Sequence, residues 1–297
     1  MSASIFDSTI ELPNAALAQR TSKLIGFDDR FKRIHFNLKL LLDPEGLRAW
    51  SKANHQVELP ILDSLVDRHP LIIMEGDAGT GKTIMAEAIA DKMLRELDRE
   101  GYFIKLSTRV RGDGVHGQMS QLVNNAFDEL KERVGKKQRV GFLFIDEADA
   151  IATSRSTAQM HQEEKAAVNA LIQKLDDLRE LRGRAVVFMA TNRLHFLDEA
   201  IVRRAAVVMH FDRPTASERE GLLTQELAGV NLTSAELTKL VHLTGPEQND
   251  EKLGYSFSDI RLRFLPEAVA RAYPDKPLTF DVLRQTLELM QPSPRII

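Results

Sequence analysis

The sequence predicts an α/β fold, a five-stranded parallel sheet between helices, followed by a small all-helical domain. Three observations carry that prediction. Five short apolar runs lie between residues 71 and 211, separated by stretches of helical period. Alternation of this kind reads as parallel strands with helices on both faces. A glycine-rich stretch directly follows the first run and opens a helical pattern. After Arg213-Pro214 the runs stop and only helical periodicity remains.

In chain order, the first twenty or so residues mix polar and apolar character with little periodicity. Between Phe27 and Leu42, the apolar residues Phe31, Ile34, Leu38, Leu41 and Leu42 recur at helical spacing, and Asp43-Pro44 stops the pattern. His55 to Pro70 is a less regular helical stretch bounded by prolines. The expected strands are Leu71–Met74, Tyr102–Leu106, Val140–Ile145, Ala185–Met189 and Val207–Phe211. The helical patterns between them are Thr83–Leu97, Met119–Val134, Glu163–Arg179 and Asp198–Arg204. In the tail, Ser217–Leu227, Ser234–Leu243, Ser258–Ala272 and Phe280–Met290 read as helices, the first three opening at a serine, a preferred N-cap. The expected division is an N-terminal extension over 1–23, an α/β domain over 24–213 and a helical domain over 214–297.

Composition narrows the class. The chain has 297 residues, 43% hydrophobic and 28% charged, enough to bury a core without a disulfide or structural metal. It has no cysteine, which removes thiolate chemistry and Cys-containing zinc sites. A net charge of −3 supplies no global field for nucleic acid or anionic lipid. The start lacks a signal-peptide pattern, and no apolar run reaches membrane-spanning length, so the expectation is a soluble, cytoplasmic protein. His35, His55, His69, His161 and His195 show no metal-ligand spacing with one another, and Trp50 reads as a core residue.

Gly76-Asp77-Ala78-Gly79-Thr80-Gly81-Lys82-Thr83 fits the phosphate-loop pattern G-x-x-x-x-G-K-[ST], between a strand and a helix as that motif requires. Its glycines let backbone N–H groups converge on phosphates, Lys82 offers a charge to the β/γ oxygens, and the Thr83 hydroxyl suits Mg²⁺. The helix opening there, which includes Ile84, adds its positive end. The run ending at Ile145 is followed by Asp146 and Glu147, at the strand edge where a parallel sheet gathers its ligands. Asp146 is placed to hold the metal, and Glu147 to orient and polarise an attacking water. Asp149 reads as a local loop partner. Asn192 closes the fourth strand, where an amide can hold that water against the γ-phosphate. Arg203 and Arg204 precede the last strand, a position from which a guanidinium can be offered to a neighbouring subunit's nucleotide.

Together these residues resemble an AAA+ ATPase over nearly the whole chain. The phosphate loop, the Asp146-Glu147 strand end, the sensor-one position Thr191-Asn192 and the finger position Arg203-Arg204 occur in that family's order. The resemblance implies an AAA+ domain with a helical lid, ATP and Mg²⁺ as ligands, and an adenine-cradling segment at Leu24-Ile25-Gly26. It is closer still to the HORMA-remodelling ATPases of the pachytene-checkpoint type, including short bacterial members in anti-phage signalling operons. Ala167–Ile172, Ala200–Ala205 and Ser258–Pro266 carry that likeness. It implies a homo-oligomeric ring, expected as a hexamer, that turns over ATP to remodel a protein client, a HORMA-domain protein. The arginine of the subfamily frame falls at Arg204. For the sensor-two arginine, the closest relatives align near Ile260, while the wider spacing points to Arg261, then Arg263.

The chain also departs from that pattern. The loop after the second strand, Arg111–Gly117, has no aromatic residue for gripping a substrate, leaving Val115 and His116 as candidates beside the alternative of a merely flexible loop. Only about twenty residues precede the adenine segment, too few for a folded adaptor-binding domain. A nucleic-acid role of the helicase- or clamp-loader kind is the second reading. The near-neutral charge counts against it, although Arg109, Arg111 and His116 could form a local basic ring.

Overall fold

The computed structural model describes residues 6–106, 118–135, 139–153, 162–246 and 253–295. Its sheet has six strands: β1 (Phe6–Leu12), β2 (Leu71–Gly76), β3 (Gly101–Leu106), β4 (Val140–Ile145), β5 (Ala185–Thr191) and β6 (Val207–Phe211). They lie in the order β1-β3-β4-β5-β2-β6. Strands β3, β4, β5 and β2 pair in parallel, with Gly101 opposite Val140, Gly141 opposite Ala185 and Leu71 opposite Val187.

Strand β1 corrects the expected five-stranded parallel sheet. It pairs antiparallel with β3, from Leu12 opposite Gly101 to Phe6 opposite Leu106, with a register shift between Phe6 and Ser8. Phe6 and Leu12 are buried while Asp7 and Glu11 are exposed, which is the alternation of a half-buried edge strand. Without β1, the outer edge of β3 would leave a row of backbone groups unpaired. The segment then docks further. The Asn14 side chain caps helix Ala15–Thr21, and the Asn14 backbone N–H donates to the buried Asp91 carboxylate at 2.5 Å.

Strands β4 and β5 are buried along their whole length, as expected for a parallel sheet covered on both faces. One core cluster packs Ile104, Leu143, Ile145, Val187 and Met189 against Phe127 and Leu130 of helix Gln118–Gly135 and Leu171 and Leu175 of helix Gln162–Leu178. On other strand positions, Phe142 stacks on Phe188 with centroids 6.0 Å apart. Each such fully buried side chain contributes about 1.5–3 kcal/mol.

Several local expectations change. Asp43-Pro44 ends one helix and also starts another, Pro44–His55, because proline suits the first helical position and the Asp43 carboxylate accepts from Gly46 N–H. Trp50 lies on that helix and is 49% exposed, edge-on to His55, so it is not a core residue. The tail helices open at Thr215 and Thr233 rather than at Ser217 and Ser234. Each threonine forms a reciprocal capping box with a glutamate three residues on, Glu218 or Glu236. The stretch expected as one helix from Ser258 is a π-helical segment, Asp259–Phe264, leading into an α-helix, Leu265–Ala272, with Pro266 in its first turn. Ser258 makes no cap hydrogen bond; Ser256 caps instead, its Oγ accepting from Asp259 N–H.

Two compact units result. One comprises the chain to Glu75 together with Thr83–His210, and the other comprises Gly76–Lys82 together with the chain from Phe211. The phosphate-loop residues up to Lys82 therefore group with the helical tail. Among the described residues, no helix is long and apolar enough to cross a membrane.

Candidate functional site

The phosphate loop is stitched to itself. Buried Thr80 donates its hydroxyl to the Asp77 carbonyl at 2.8 Å. The Lys82 ammonium donates to the carbonyls of Gly76 at 2.6 Å and Asp77 at 3.0 Å. The charge is thus held over the loop rather than extended away from it. Gly79 has φ +76°, and a Cβ there would lie 2.7 Å from Ser258 Cβ and 2.8 Å from Ser256 Oγ. Gly81 needs its freedom for conformation alone: φ is +92°, and a Cβ would meet nothing within 4 Å.

That loop is also anchored from the tail. Arg213 donates Nε to Asp77 Oδ2 at 2.8 Å, Nη1 to the Gly254 carbonyl and Nη2 to the Ser293 carbonyl, both at 2.7 Å. Ser258 N–H donates to the Gly79 carbonyl at 3.1 Å. Ser293 continues the network by donating Oγ to Asp259 Oδ1 at 2.5 Å. Burial alone would raise the Asp259 carboxyl, but donors from Ser293, Ser256 and Arg263 outweigh it and bring its pKa down to about 2. Of the two sensor-two candidates, Arg261 pairs with Glu226 at 2.8 Å and Arg263 with Asp259 at 2.7 Å.

In the other unit, the carboxyl ends of the strands gather polar groups. Asp146 follows β4 directly, and its Oδ2 lies 3.5 Å from Thr83 Oγ1. A hydroxyl and a carboxylate so placed are hard oxygen donors that suit Mg²⁺, which keeps several waters and takes its remaining ligands from phosphates. Among the described residues, no group of three or more His, Cys, Asp or Glu is placed to hold a metal. Lys105, at the end of β3, lies 3.3 Å from the same Asp146 oxygen. Its only sequence signal is a lysine in an otherwise apolar run.

Glu147 is exposed and has φ +46°, a left-handed conformation that costs a non-glycine residue about 1–3 kcal/mol. Its N–H donates to Asp146 Oδ1 at 3.1 Å. Thr191 ends β5 buried and donates its hydroxyl to Asp149 Oδ1 at 2.8 Å, which makes Asp149 a loop partner and leaves Asn192 half-buried at the strand edge.

The arginine pair lies at the opposite edge of this sheet. Ala206 N–H donates to the carbonyl of Leu71, the first residue of β2, and Arg204 lies two residues before it. Arg204 makes a two-pronged pair with Asp176, Nε to Oδ1 at 2.8 Å and Nη2 to Oδ2 at 3.0 Å. Arg203 points outward, its side chain 78% exposed and paired with Glu199 on the same helical turn. Six-residue strands separate the two edges by about 16 Å, so neither arginine reaches Asp146 of its own subunit. Leu24 and Ile25 are half-buried in the turn before helix Phe27–Leu42, which Gly26 opens at φ +71°. Ile84 is 39% exposed in the first turn of helix Lys82–Glu96. Val115 and His116 lie outside the described residues. The sequence reading missed His69, Lys105, Asp176, Arg213 and Ser293, whose roles arise only from partners distant in the chain.

Residues 72–213 match the model for the ATPase family associated with various cellular activities (AAA). CD-NTase-associated protein 6 of Escherichia coli strain KTE188 is 44% identical over 292 residues, covering 98% of this chain and 97% of the relative. A chain of the E. coli MS115-1 HORMA:CdnC:Trip13 complex superposes with a TM-score of 0.90 at 38% identity, covering 98% of this chain and 97% of that one. Rhizobiales Trip13 superposes at 0.73 with 31% identity, covering 97% and 99%. With a full-length relative of that identity and the AAA match over its phosphate loop and strand edges, the chain belongs to the CD-NTase-associated protein 6 family of AAA ATPases.

Proposed function

We propose that this AAA ATPase works as a homo-oligomeric ring, a hexamer, that spends ATP turnover on partly unfolding or disassembling a HORMA-domain protein. The observation that carries the reading is the end-to-end likeness, at a TM-score of 0.90, to a chain of a HORMA:CdnC:Trip13 complex. In this reading, the phosphate-loop N–H groups and Lys82 bind the ATP phosphates, and Leu24, Ile25 and Gly26 cradle the adenine. Mg²⁺ held by Thr83 and Asp146 would neutralise charge on the phosphates. Glu147 takes a proton from the attacking water, which Asn192 orients. Arg204, with Arg203 beside it, reaches the neighbouring subunit's nucleotide, since neither arginine reaches Asp146 of its own subunit. Arg261 is the first candidate for a lid contact to the phosphates, and Val115 and His116 for gripping the client. The strained backbone at Glu147 supports its role, because such conformations concentrate at functional sites.

Glu147→Gln provides the test. The amide is nearly isosteric and Asp146 is untouched, so ATP binding persists while single-turnover hydrolysis falls by about a hundredfold or more. In the same preparation, a HORMA-domain protein should be converted only by the wild type with hydrolysable ATP. Normal hydrolysis by the mutant removes Glu147 from catalysis. Wild-type ATPase without any conversion removes the client.

A further inference from the structure

Asp176 lies near the end of helix Gln162–Leu178, 28 residues before Arg204. Three donors converge on its carboxylate. Arg204 supplies Nε and Nη2 in a planar fork, and His69 Nε2 lies 2.7 Å from Oδ1. His69 stands two residues before β2, so a rigid strand fixes one side of the carboxylate and a helix the other. Arg204 Nη1 donates to the Ala200 carbonyl at 3.0 Å. A guanidinium has five N–H donors. Two face Asp176 and one faces Ala200, so one hydrogen on each terminal nitrogen remains for an outside acceptor. These are the hydrogens best placed to straddle two oxygens of a phosphate.

We propose that Asp176 is a positioning residue for ATP hydrolysis: it holds the Arg204 guanidinium in the plane and direction in which its terminal N–H groups meet the phosphates bound by the neighbouring subunit. The proposal rests on the reading of Arg204 as the residue acting in trans. An unrestrained arginine has rotamer entropy to lose when it engages a phosphate, and the two-pronged pair removes much of that loss beforehand. Hydrogen bonds from Arg204 hold the Asp176 carboxyl below the usual carboxylate range, and the same bonds raise the arginine. Both groups are therefore charged throughout the working pH range. Arg203 has no such support: its partner, Glu199, is itself 83% exposed. The Asp176–Arg204 pair is partly exposed, 34% and 26% by side chain, and pairs of that kind add little to stability. Its loss would leave the fold intact, so a loss of turnover would report on position.

The experiment compares full-length Asp176→Asn, Asp176→Glu and Arg204→Ala, reading ATP affinity, kcat, KM, ring assembly and melting temperature. The expected result for Asp176→Asn is a drop in kcat of roughly ten- to a hundredfold, the scale of a displaced catalytic group. ATP affinity and melting temperature stay unchanged, and Asp176→Glu regains part of the rate. Mixed rings assign the defect to one side of the interface. Asp176→Asn subunits mixed with Lys82→Ala subunits regain activity, because an intact phosphate loop then meets a well-held Arg204. Asp176→Asn mixed with Arg204→Ala does not.

Full turnover by Asp176→Asn beside a dead Arg204→Ala would overturn the positioning role and leave Arg204 in place. Normal turnover by Arg204→Ala would instead sink the trans reading on which the proposal rests. A faster Asp176→Asn enzyme would show that the pair restrains the arginine instead of presenting it. Failure of the Lys82→Ala mixture, where Arg204→Ala with Lys82→Ala recovers, would place the defect in the mutant's own nucleotide site and overturn the proposal.

Discussion

Two arginine–aspartate pairs occupy two ends of this molecule's chemistry, and they are built differently. Arg213–Asp77 holds the phosphate loop, with side chains only 10% and 16% exposed, and Arg213 places its remaining forks on the carbonyls of Gly254 and Ser293. Arg204–Asp176 is about twice as exposed, although its arginine also makes three hydrogen bonds, two to Asp176 and one to the Ala200 carbonyl. A buried guanidinium must satisfy its donors internally, so it suits an anchor. A half-exposed one can be oriented by a carboxylate and still act outward. The same pair of residue types thus suits an anchor in one place and presentation in the other, and burial, not the number of internal acceptors, separates the two.

The comparison breaks most visibly if Arg213 is removed. Arg213→Met leaves the Asp77 charge nearly buried, though Arg295 lies 3.7 Å away. The expected cost is about 3 kcal/mol of unfolding free energy, with ATP affinity falling at least tenfold as the loop loses its anchor. Arg204→Met should cost less than about 1 kcal/mol with ATP affinity unchanged. Denaturant titration and equilibrium nucleotide binding on both variants give the contrast, and equal costs would erase it.

Acid should reveal the next difference. The Asp259 pKa is lowered from 3.8 to about 2. A depressed folded pKa contributes stability that is fully present above the unfolded value and lost as pH falls through the folded one. The Asp259 contribution, on the order of 2 kcal/mol, should therefore fade between about pH 4 and pH 2. Asp259→Asn should flatten the stability profile in that window while Asp176→Asn changes it less. An unchanged profile in Asp259→Asn would count against the network's role.

The smallest expected effect is that of Ser293→Ala. It removes the hydroxyl that donates to Asp259 and accepts from Arg263 at 3.1 Å, but leaves the carbonyl that receives Arg213. A loss of about 1 kcal/mol is expected, with ATP affinity nearly intact. A drop in affinity as large as that of Arg213→Met would mean that the serine hydroxyl, and not the backbone, carries the anchor.

Much of the candidate nucleotide site was legible as a pattern because it is contiguous. Gly76–Thr83 must turn tightly after a strand and open a helix, so eight neighbouring residues state the requirement together. Asp146 and Asn192 were legible for a related reason: each directly follows an apolar run, and strand ends in a parallel sheet collect ligands. Strand β1 left a weaker trace. Phe6, Ile10 and Leu12 keep a period of two, but a half-buried strand of seven residues shows few apolar positions, and its partner β3 lies some ninety residues on. Similarly, Ser217 and Ser234 looked like caps because serine is a good one. Thr215 and Thr233 cap instead, each closing the box with Glu218 or Glu236; Ser234 has no glutamate at that spacing, and Ser217, which has Glu220, already lies inside the helix that Thr215 opens.

The sequence by itself determined the parallel α/β core, the phosphate loop and the carboxylate edge, since each follows from periodicity or from neighbouring residues whose backbone requirements coincide. Only the tertiary structure decided which charge meets which. Arg213 reaches Asp77 across 136 residues, Ser293 reaches Asp259 across 34, and Arg204 reaches Asp176 across 28. With 40 basic and 43 acidic side chains of nearly interchangeable chemistry, no local pattern selects one pair over another. The choice is made where packed strands and helices bring two side chains within 3 Å and withdraw the water that would otherwise have served either of them.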